Sequence, residues 1–183
     1  MTDWPNIATG VVPAERDWLK QQAEALAGMG LEAVIVHIGV EGGMSLHCSR
    51  MGAPEAVIAG IDLDLHHFQN TIGAELIQGN SHTVHHDWER PIHFLFVDGD
   101  HSRPAVTADM LGWLPLVVPG GIVAFHDYGN KNFLWCLGVS EAVDEWDWTG
   151  WQEIPAPASI KAYQKSDPEK ESKRGRTAKS KNR

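Results

Sequence analysis

The stretch from His93 to Tyr128, HFLFVDGDHSRPAVTADMLGWLPLVVPGGIVAFHDY, constrains the fold more than any other part of this chain. It holds two apolar runs, Phe94 to Val97 and Ile122 to Phe125, with no alternation of polar and apolar residues. Strands of that kind are buried on both faces, as in a parallel sheet covered by helices on each side. Each run stops abruptly. Asp98, Gly99, Asp100 and His101 follow the first, and His126 and Asp127 follow the second. Ligands of open parallel sheets bind beyond the carboxyl ends of the strands, so two such ends carrying acids and histidines mark a site.

The rest of the chain repeats the alternation of strand and helix. Pro13 to Leu26 has helical spacing at Trp18, Leu19, Ala23 and Leu26, and Gly28 and Gly30 end it. Ala33 to Ile38 reads as a buried strand, Met44 to Met51 as a short helix, and Ala56 to Ile61 as the next strand. A helix is expected over Leu65 to Ile72, with His66 and His67 at its solvated start, and a short strand over Glu75 to Gln78. Gly79 to Pro91 leaves little room for a full helix. Pro104 to Leu116 is helical in pattern, and Pro119-Gly120-Gly121 reads as a turn into the following strand. A helix near Val139 to Trp146 and strands near Trp151 to Ile154 and Ser159 to Gln164 complete the pass. The expected fold is α/β: one domain over residues 1–164 with a doubly wound, Rossmann-like, mostly parallel seven-stranded sheet.

Residues 165–183 differ in kind. They hold eight Lys/Arg against three acids, whereas the whole 183-residue chain has a net charge of −9. A basic, disordered tail is expected there, and the acidic body argues against nucleic acid as a partner beyond weak contacts of that tail. Cys48 and Cys136 imply no disulfide framework and read as buried thiols. No signal peptide or membrane span is apparent, because Pro119, Gly120 and Gly121 break the longest apolar stretch; a cytoplasmic protein is expected. Trp146, Trp148 and Trp151 offer a patch for a homodimer.

The first strand runs into Gly39-x-x-Gly42-Gly43. Gly39 suits a tight turn, and Gly43 suits close approach of backbone to a ligand. The helix that follows points free N–H groups at that ligand, with the Ser45 hydroxyl beside them. Asp62, closing the second strand, suits a ribose diol, so a nucleotide-like ligand is expected next to the first two strands. The three-glycine dinucleotide fingerprint is absent, and so is a tyrosine–lysine hydride-site pair, which disfavours NAD. Neighbouring strand tips lie about 4.8 Å apart, close enough for Asp98 and Asp127 to share a divalent cation such as Mg²⁺, with Asp100 or His126 as a third group. His101 or His126 could take a proton from an acceptor hydroxyl. His82, His85 and His86 lack the spacing of a metal motif and read as surface residues.

Taken together, VHIGVEGGMS, AGIDLD, IQGNSH, FLFVDGDHS and PGGIVAFHDY resemble the class I S-adenosylmethionine-dependent methyltransferases, over about Pro13 to Lys165. The group most similar is the macrocin-type sugar O-methyltransferase-like one, with its DGDHS…GG…HD signature. That resemblance implies S-adenosylmethionine as cofactor, its methionine end held by Gly39, Gly43 and Ser45 and its ribose by Asp62. It implies Asn80 and Ser81 beside the adenine, Asp98 at the cofactor and the metal, and His126 and Asp127 completing the metal site. The acid that would hold the cofactor's amino group is replaced by His37, and the tyrosine common after DGDHS by Arg103. Methyl transfer to an oxygen of a small-molecule acceptor is the expected activity. The alternative, prompted by His37 and the small acceptor region, is a non-catalytic S-adenosylmethionine-binding or regulatory protein.

Overall fold

The computed structural model describes residue 7 and residues 10–30, 32–131 and 133–168. Seven strands form one sheet: β1 (Val34–Ile38), β2 (Val57–Asp62), β3 (Glu75–Gln78), β4 (Ile92–Val97), β5 (Val117–Phe125), β6 (Trp151–Ile154) and β7 (Lys161–Lys165). Their order is β3-β2-β1-β4-β5-β7-β6. The first five strands are parallel, and β7 runs antiparallel to both β5 and β6. Helices α1 (Pro13–Ala27), α2 (Met44–Gly52), α3 (Ser81–Val84), α4 (Arg103–Trp113) and α5 (Leu137–Glu145) connect them.

Side chains alternate across the sheet, so each strand feeds two cores. Ile35, Phe94, Phe96 and Ala124 pack with Trp18, Leu19 and Leu46 on the α1–α2 face. Val36, Leu95, Val97 and Phe125 pack with Val106, Met110, Trp113 and Val143 on the α4–α5 face. Both faces are covered, which is why the sequence runs are apolar without a break. Among the described residues no helix is long and apolar enough to cross a membrane.

Three expectations are corrected. Residues 65–72 form no helix. Asp64 Oδ1 accepts from His66 N, and Asn70 exchanges two hydrogen bonds with Ala74, so local side-chain bonds outcompete helical ones. Phe68 is instead buried as a plug beneath the β1–α2 loop. Pro119-Gly120-Gly121 lies within β5, which begins at Val117 and accommodates these residues where its register against β4 shifts between Ile92 and Phe94. The tryptophans proposed as a dimer patch are packed, not presented. Trp148 stacks on Tyr163 at 3.6 Å and meets Phe125 edge-on, while Trp146 and Trp151 lean on the same core. The exposed apolar cluster is elsewhere, at Phe133, Leu134, Trp135 and Leu137, just before and within the first turn of α5. Cys48 and Cys136 are both buried. Lys165, assigned to the tail, ends β7 and donates to the Val117 carbonyl, so the fold reaches past residue 164; residues 169–183 lie outside the described part.

Candidate active site

Strand order reverses between β1 and β4, and the hollow opens at that switch point. The ladder continues one residue past each strand. Gly39 N donates to the Ile61 carbonyl, Asp98 N to Ile38, and His126 N to Val97. Gly39, Asp98 and His126 therefore stand side by side on one rim. Gly39 has φ +88°, and a Cβ there would come within 2.0 Å of the Asp98 carbonyl oxygen, so only glycine permits this crossing of β1 and β4.

Two cavities share that rim. The first, about 280 Å³, is lined by Ile38 to Glu41, Ile61 to Leu63, Gly79 to His82, Asp98 to Asp100 and Asp109. The second, about 210 Å³, is lined by Gly39 to Glu41, Met44, Ser45, Asp98, His101, His126, Asp127 and Trp135, with Gly10 and Val11 closing it. Gly39, Val40, Glu41 and Asp98 belong to both.

In the first cavity Asp62 holds the β1–α2 loop. Its Oδ2 accepts from Val40 N at 2.7 Å and Glu41 N at 3.3 Å, and its Oδ1 accepts from Asp64 N. Each carboxylate oxygen can accept more than one bond, so capacity remains for a diol. Asn80 caps α3 through His82 N and, with Ser81, forms the far wall. Below them Asp109 is buried, and burial raises its pKa.

In the second cavity the first turn of α2 presents Met44 and Ser45. Around them the carboxylates and imidazoles crowd together. His126 Nδ1 lies 3.0 Å from Asp98 Oδ1, and its Nε2 lies 3.1 Å from Glu15 Oε2. Glu15 is 1% exposed; Val12 N, Ser159 N and the Ser159 hydroxyl donate to it. Burial pulls the His126 pKa down, yet the bonds to Asp127, Asp98 and Glu15 push it up to about 12. His101 is likewise held up at about 9, because Asp127 and Asp98 outweigh burial. Asp127 moves the other way: burial would raise it, but His101, His126 and Asn130 hold it well below the usual carboxylate range. With φ +58°, Asp127 adopts a left-handed backbone that a short polar side chain tolerates, and this turns its carboxylate back into the hollow.

Of the residues singled out in the sequence, Gly39, Ser45, Asp62, Asn80, Ser81, Asp98, His101, His126 and Asp127 all line one or both cavities. Three behave otherwise. His37 is wholly buried between Phe94, Phe96 and the Ser49 hydroxyl and reaches neither cavity, so the position expected to hold a cofactor amino group is turned into the core. Gly43 admits the Phe68 ring rather than a ligand, since a Cβ there would lie 2.1 Å from it. Asp100 accepts from Ser102 N and lines the first cavity, away from the Asp98–Asp127 pair.

The sequence reading missed Glu41, Trp135 and Glu15. Glu41 sits at the join of the cavities with φ +45°, and an acid set among three glycines was its signal. Trp135 meets His101 edge-on at 4.8 Å, and its signal was the apolar FLW run after His126 and Asp127. Glu15 reads as an ordinary first-turn acid of α1; nothing local ties it to His126, 111 residues away.

The donor set suits a divalent ion. Asp98, His126 and Asp127 offer ligand atoms that all lie within 4.8 Å of one another. His101 Nε2 is withdrawn from solvent, lies near both carboxylates and makes no hydrogen bond among the described residues.

Known proteins share this arrangement of strands. The O-methyltransferase NovP is 16% identical and superposes with a TM-score of 0.71, covering 90% of this chain and 85% of its own. A protein from Corynebacterium glutamicum is 13% identical with a TM-score of 0.66, covering 88% and 84% respectively. The MycE methyltransferase of the mycinamycin biosynthetic pathway, in complex with Mg and SAH, is 16% identical with a TM-score of 0.61; it covers 86% of this chain, which spans 56% of MycE. The family model described as a methyltransferase domain matches residues 36–128, from β1 through the whole rim to Tyr128. With its strand order and its ligand hollow at the β1–β4 switch point, the chain belongs to the methyltransferase domain family, of the class I S-adenosylmethionine-dependent kind.

Proposed function

We propose that this chain transfers the methyl group of S-adenosylmethionine to an oxygen of a small molecule, with a divalent ion held at Asp98 and Asp127. The observation that carries this reading is the sharing of Asp98 and Gly39 to Glu41 by two cavities, because a group passing between donor and acceptor must sit where their sites meet. The adenosine lies in the first cavity, its ribose hydroxyls donating to Asp62 and its base between Leu63 and the Asn80–Ser81 wall. The methionine end turns toward Ser45 and the first-turn amides of α2, which suit a carboxylate. The acceptor enters the second cavity, past Trp135.

Chemistry there needs mainly alignment. The acceptor oxygen attacks the methyl carbon, the carbon–sulfur bond breaks, and S-adenosylhomocysteine leaves. Holding the two in line can supply about 7–11 kcal/mol. A divalent ion supplies a lowered pKa for a coordinated hydroxyl. His101 and His126 stand against both carboxylates, where they hold Asp98 and Asp127 in place and border the acceptor. Glu41, exposed at the join, is the carboxylate placed to receive the acceptor's proton. The fold shared with NovP, an O-methyltransferase, and with MycE, whose complexes hold Mg and SAH, supports oxygen as the acceptor and a metal-assisted route.

Calorimetry with S-adenosylmethionine and S-adenosylhomocysteine tests the donor site. Asp62→Ala is expected to weaken binding tenfold or more, a loss of about 1.4 kcal/mol. Affinity unchanged by that substitution would remove the ribose assignment. Mass spectrometry of phenol and sugar-hydroxyl panels incubated with the cofactor then reads transfer. Tight cofactor binding with no methylated product in any panel would favour a binding protein instead.

A further inference from the structure

Four large apolar side chains stand in the open where the chain passes from β5 into α5. Phe133 is 51% exposed, Leu134 82%, Trp135 59% and Leu137 41%. Single exposed apolar residues are ordinary, but four within five positions form a patch of the kind that a ligand or partner covers. The patch is held in shape from behind. Cys136 is fully buried at its centre, its N–H bonded to the Phe133 carbonyl, and Gly138 abuts the backbone of the loop after β4. The rings of Phe133 and Trp135 lie 5.5 Å apart with their planes at 33°, and Trp135 meets His101 edge-on. Trp135 also walls the second cavity, so patch and cavity are continuous.

Size and charge narrow what can lie there. At about 210 Å³ the second cavity is smaller than the roughly 300–1,000 Å³ that encloses a drug-sized ligand, so the rest of such a molecule must lie on the patch. Among the described residues, neither cavity's lining holds a Lys or Arg. The two imidazoles of the second are engaged with Asp98, Asp127 and Glu15, and Glu41 adds a further carboxylate. Lys131, two residues before the patch, lines neither cavity, and Arg103 pairs with Glu145. A phosphate or carboxylate on the acceptor would therefore lose its water among acids, with no cation to receive it. A polyol would give up hydrogen bonds to water against Phe133, Leu134 and Leu137. A flat aromatic ring gains from the same surface. Its hydroxyl also asks least of a carboxylate base, since a phenol ionises near pH of about 10 and water near about 15.7.

We infer that the acceptor is a phenol carrying no negative charge, that its ring rests on Trp135, and that Trp135 is the residue that selects it. Phe133 and Leu134 carry the part of the molecule that reaches beyond the cavity. The phenolic oxygen takes the methyl group as the carbon–sulfur bond breaks, its proton passes to Glu41, and an aryl methyl ether is left beside S-adenosylhomocysteine. This rests on the methyl-transfer reading for the use of the second cavity, but ring binding is read without turnover, so the two can fail separately.

The test is calorimetry on the full chain saturated with S-adenosylhomocysteine. The probes are 2-naphthol, 6-hydroxynaphthalene-2-sulfonate, methyl rhamnoside and UDP-glucose. Expected is 2-naphthol bound at least about tenfold more tightly than each of the others. The sulfonate has the same ring and hydroxyl, so its deficit reads charge alone. Trp135→Ala should weaken 2-naphthol about tenfold or more, and Trp135→Phe should keep most of the affinity. Neither should move S-adenosylhomocysteine affinity by more than about twofold, because Trp135 lines the second cavity alone. Circular dichroism checks that both variants fold. UDP-glucose, the rhamnoside or the sulfonate bound as tightly as 2-naphthol would overturn the inference, and so would undiminished 2-naphthol affinity in Trp135→Ala. A parent chain that sediments as a dimer, split by Leu134→Asp, would also overturn it by giving the patch to a second copy. Failure of the parent to bind S-adenosylhomocysteine would sink the methyl-transfer reading instead, and the same probes titrated into the bare chain still read the ring site.

Discussion

His37 carries no proton in the folded protein at neutral pH. Its ring is fully buried, which pulls its pKa down to about 3 from the ordinary 6.5, against a weak upward pull from Asp98. The unfolded chain therefore binds a proton that the folded chain refuses between those two values. Stability from this group is complete above about pH 6.5 and drains as the pH falls, at roughly 1.4 kcal/mol per unit. Between pH 7 and pH 5 the loss of urea stability in the parent should exceed that in a His37→Leu variant by about 2 kcal/mol, because that comparison cancels the opposing contributions of the raised His101 and His126. His37→Leu should flatten that acid limb; an equal slope in the variant would assign it to other groups. From sequence alone His37 looked like a cofactor contact, because its place in the motif was legible and the direction of its side chain was not. Asp62 and Asp98 were legible because each closes an apolar run. Glu15 was not, since its partner arrives from the other end of the chain.

Among the elements, α5 meets the loop after β4 backbone to backbone. A Cβ at Gly138 would lie 2.3 Å from Arg103 N and 2.5 Å from the His101 carbonyl oxygen. Gly138→Ala must push α5 off that loop and shift His101. Overpacking of this sort costs about 1–3 kcal/mol, so a lower melting temperature is expected together with loss of metal affinity. A variant melting like the parent and binding divalent ions equally well would show that the loop is held by other contacts. The elements themselves were largely legible: unbroken apolar runs gave β1, β2, β4 and β5, and 3.6-residue spacing gave α1 and α4. Residues 65–72 misled because Asp64 and Asn70 bond to local backbone, and composition does not reveal which turn such residues will close.

For the whole molecule, seven-stranded order, antiparallel β7 and the switch point together put every candidate group on one edge of the sheet. A ligand that fills both cavities ties β1, β2, β4 and α2 to one another. At a free concentration one hundred times its dissociation constant it stabilises the fold by about 2.7 kcal/mol. For a domain of this size that corresponds to a rise in Tm of roughly 5–10 °C with S-adenosylhomocysteine, measured by scanning calorimetry. No shift at saturating ligand would contradict the assignment of the first cavity. A doubly wound, mostly parallel sheet was foreseeable from the alternation of strands and helices; the antiparallel place of β7 between β5 and β6 was not. That the exposed apolar surface lies at Phe133 to Leu137, and not at the tryptophans near residue 148, depended on which aromatic rings β7 covers.

Glu15 joins parts of the chain that lie far apart in sequence. Through one carboxylate it grips Val12 at the start of α1, Ser159 before the last strand, and His126 in the hollow. A nick, a fusion peptide or a bulky label near Val12 or Ser159 would loosen that carboxylate first, and the imidazole beyond it next. Preparations cut or labelled at those two places are therefore expected to differ in ion content from the intact chain.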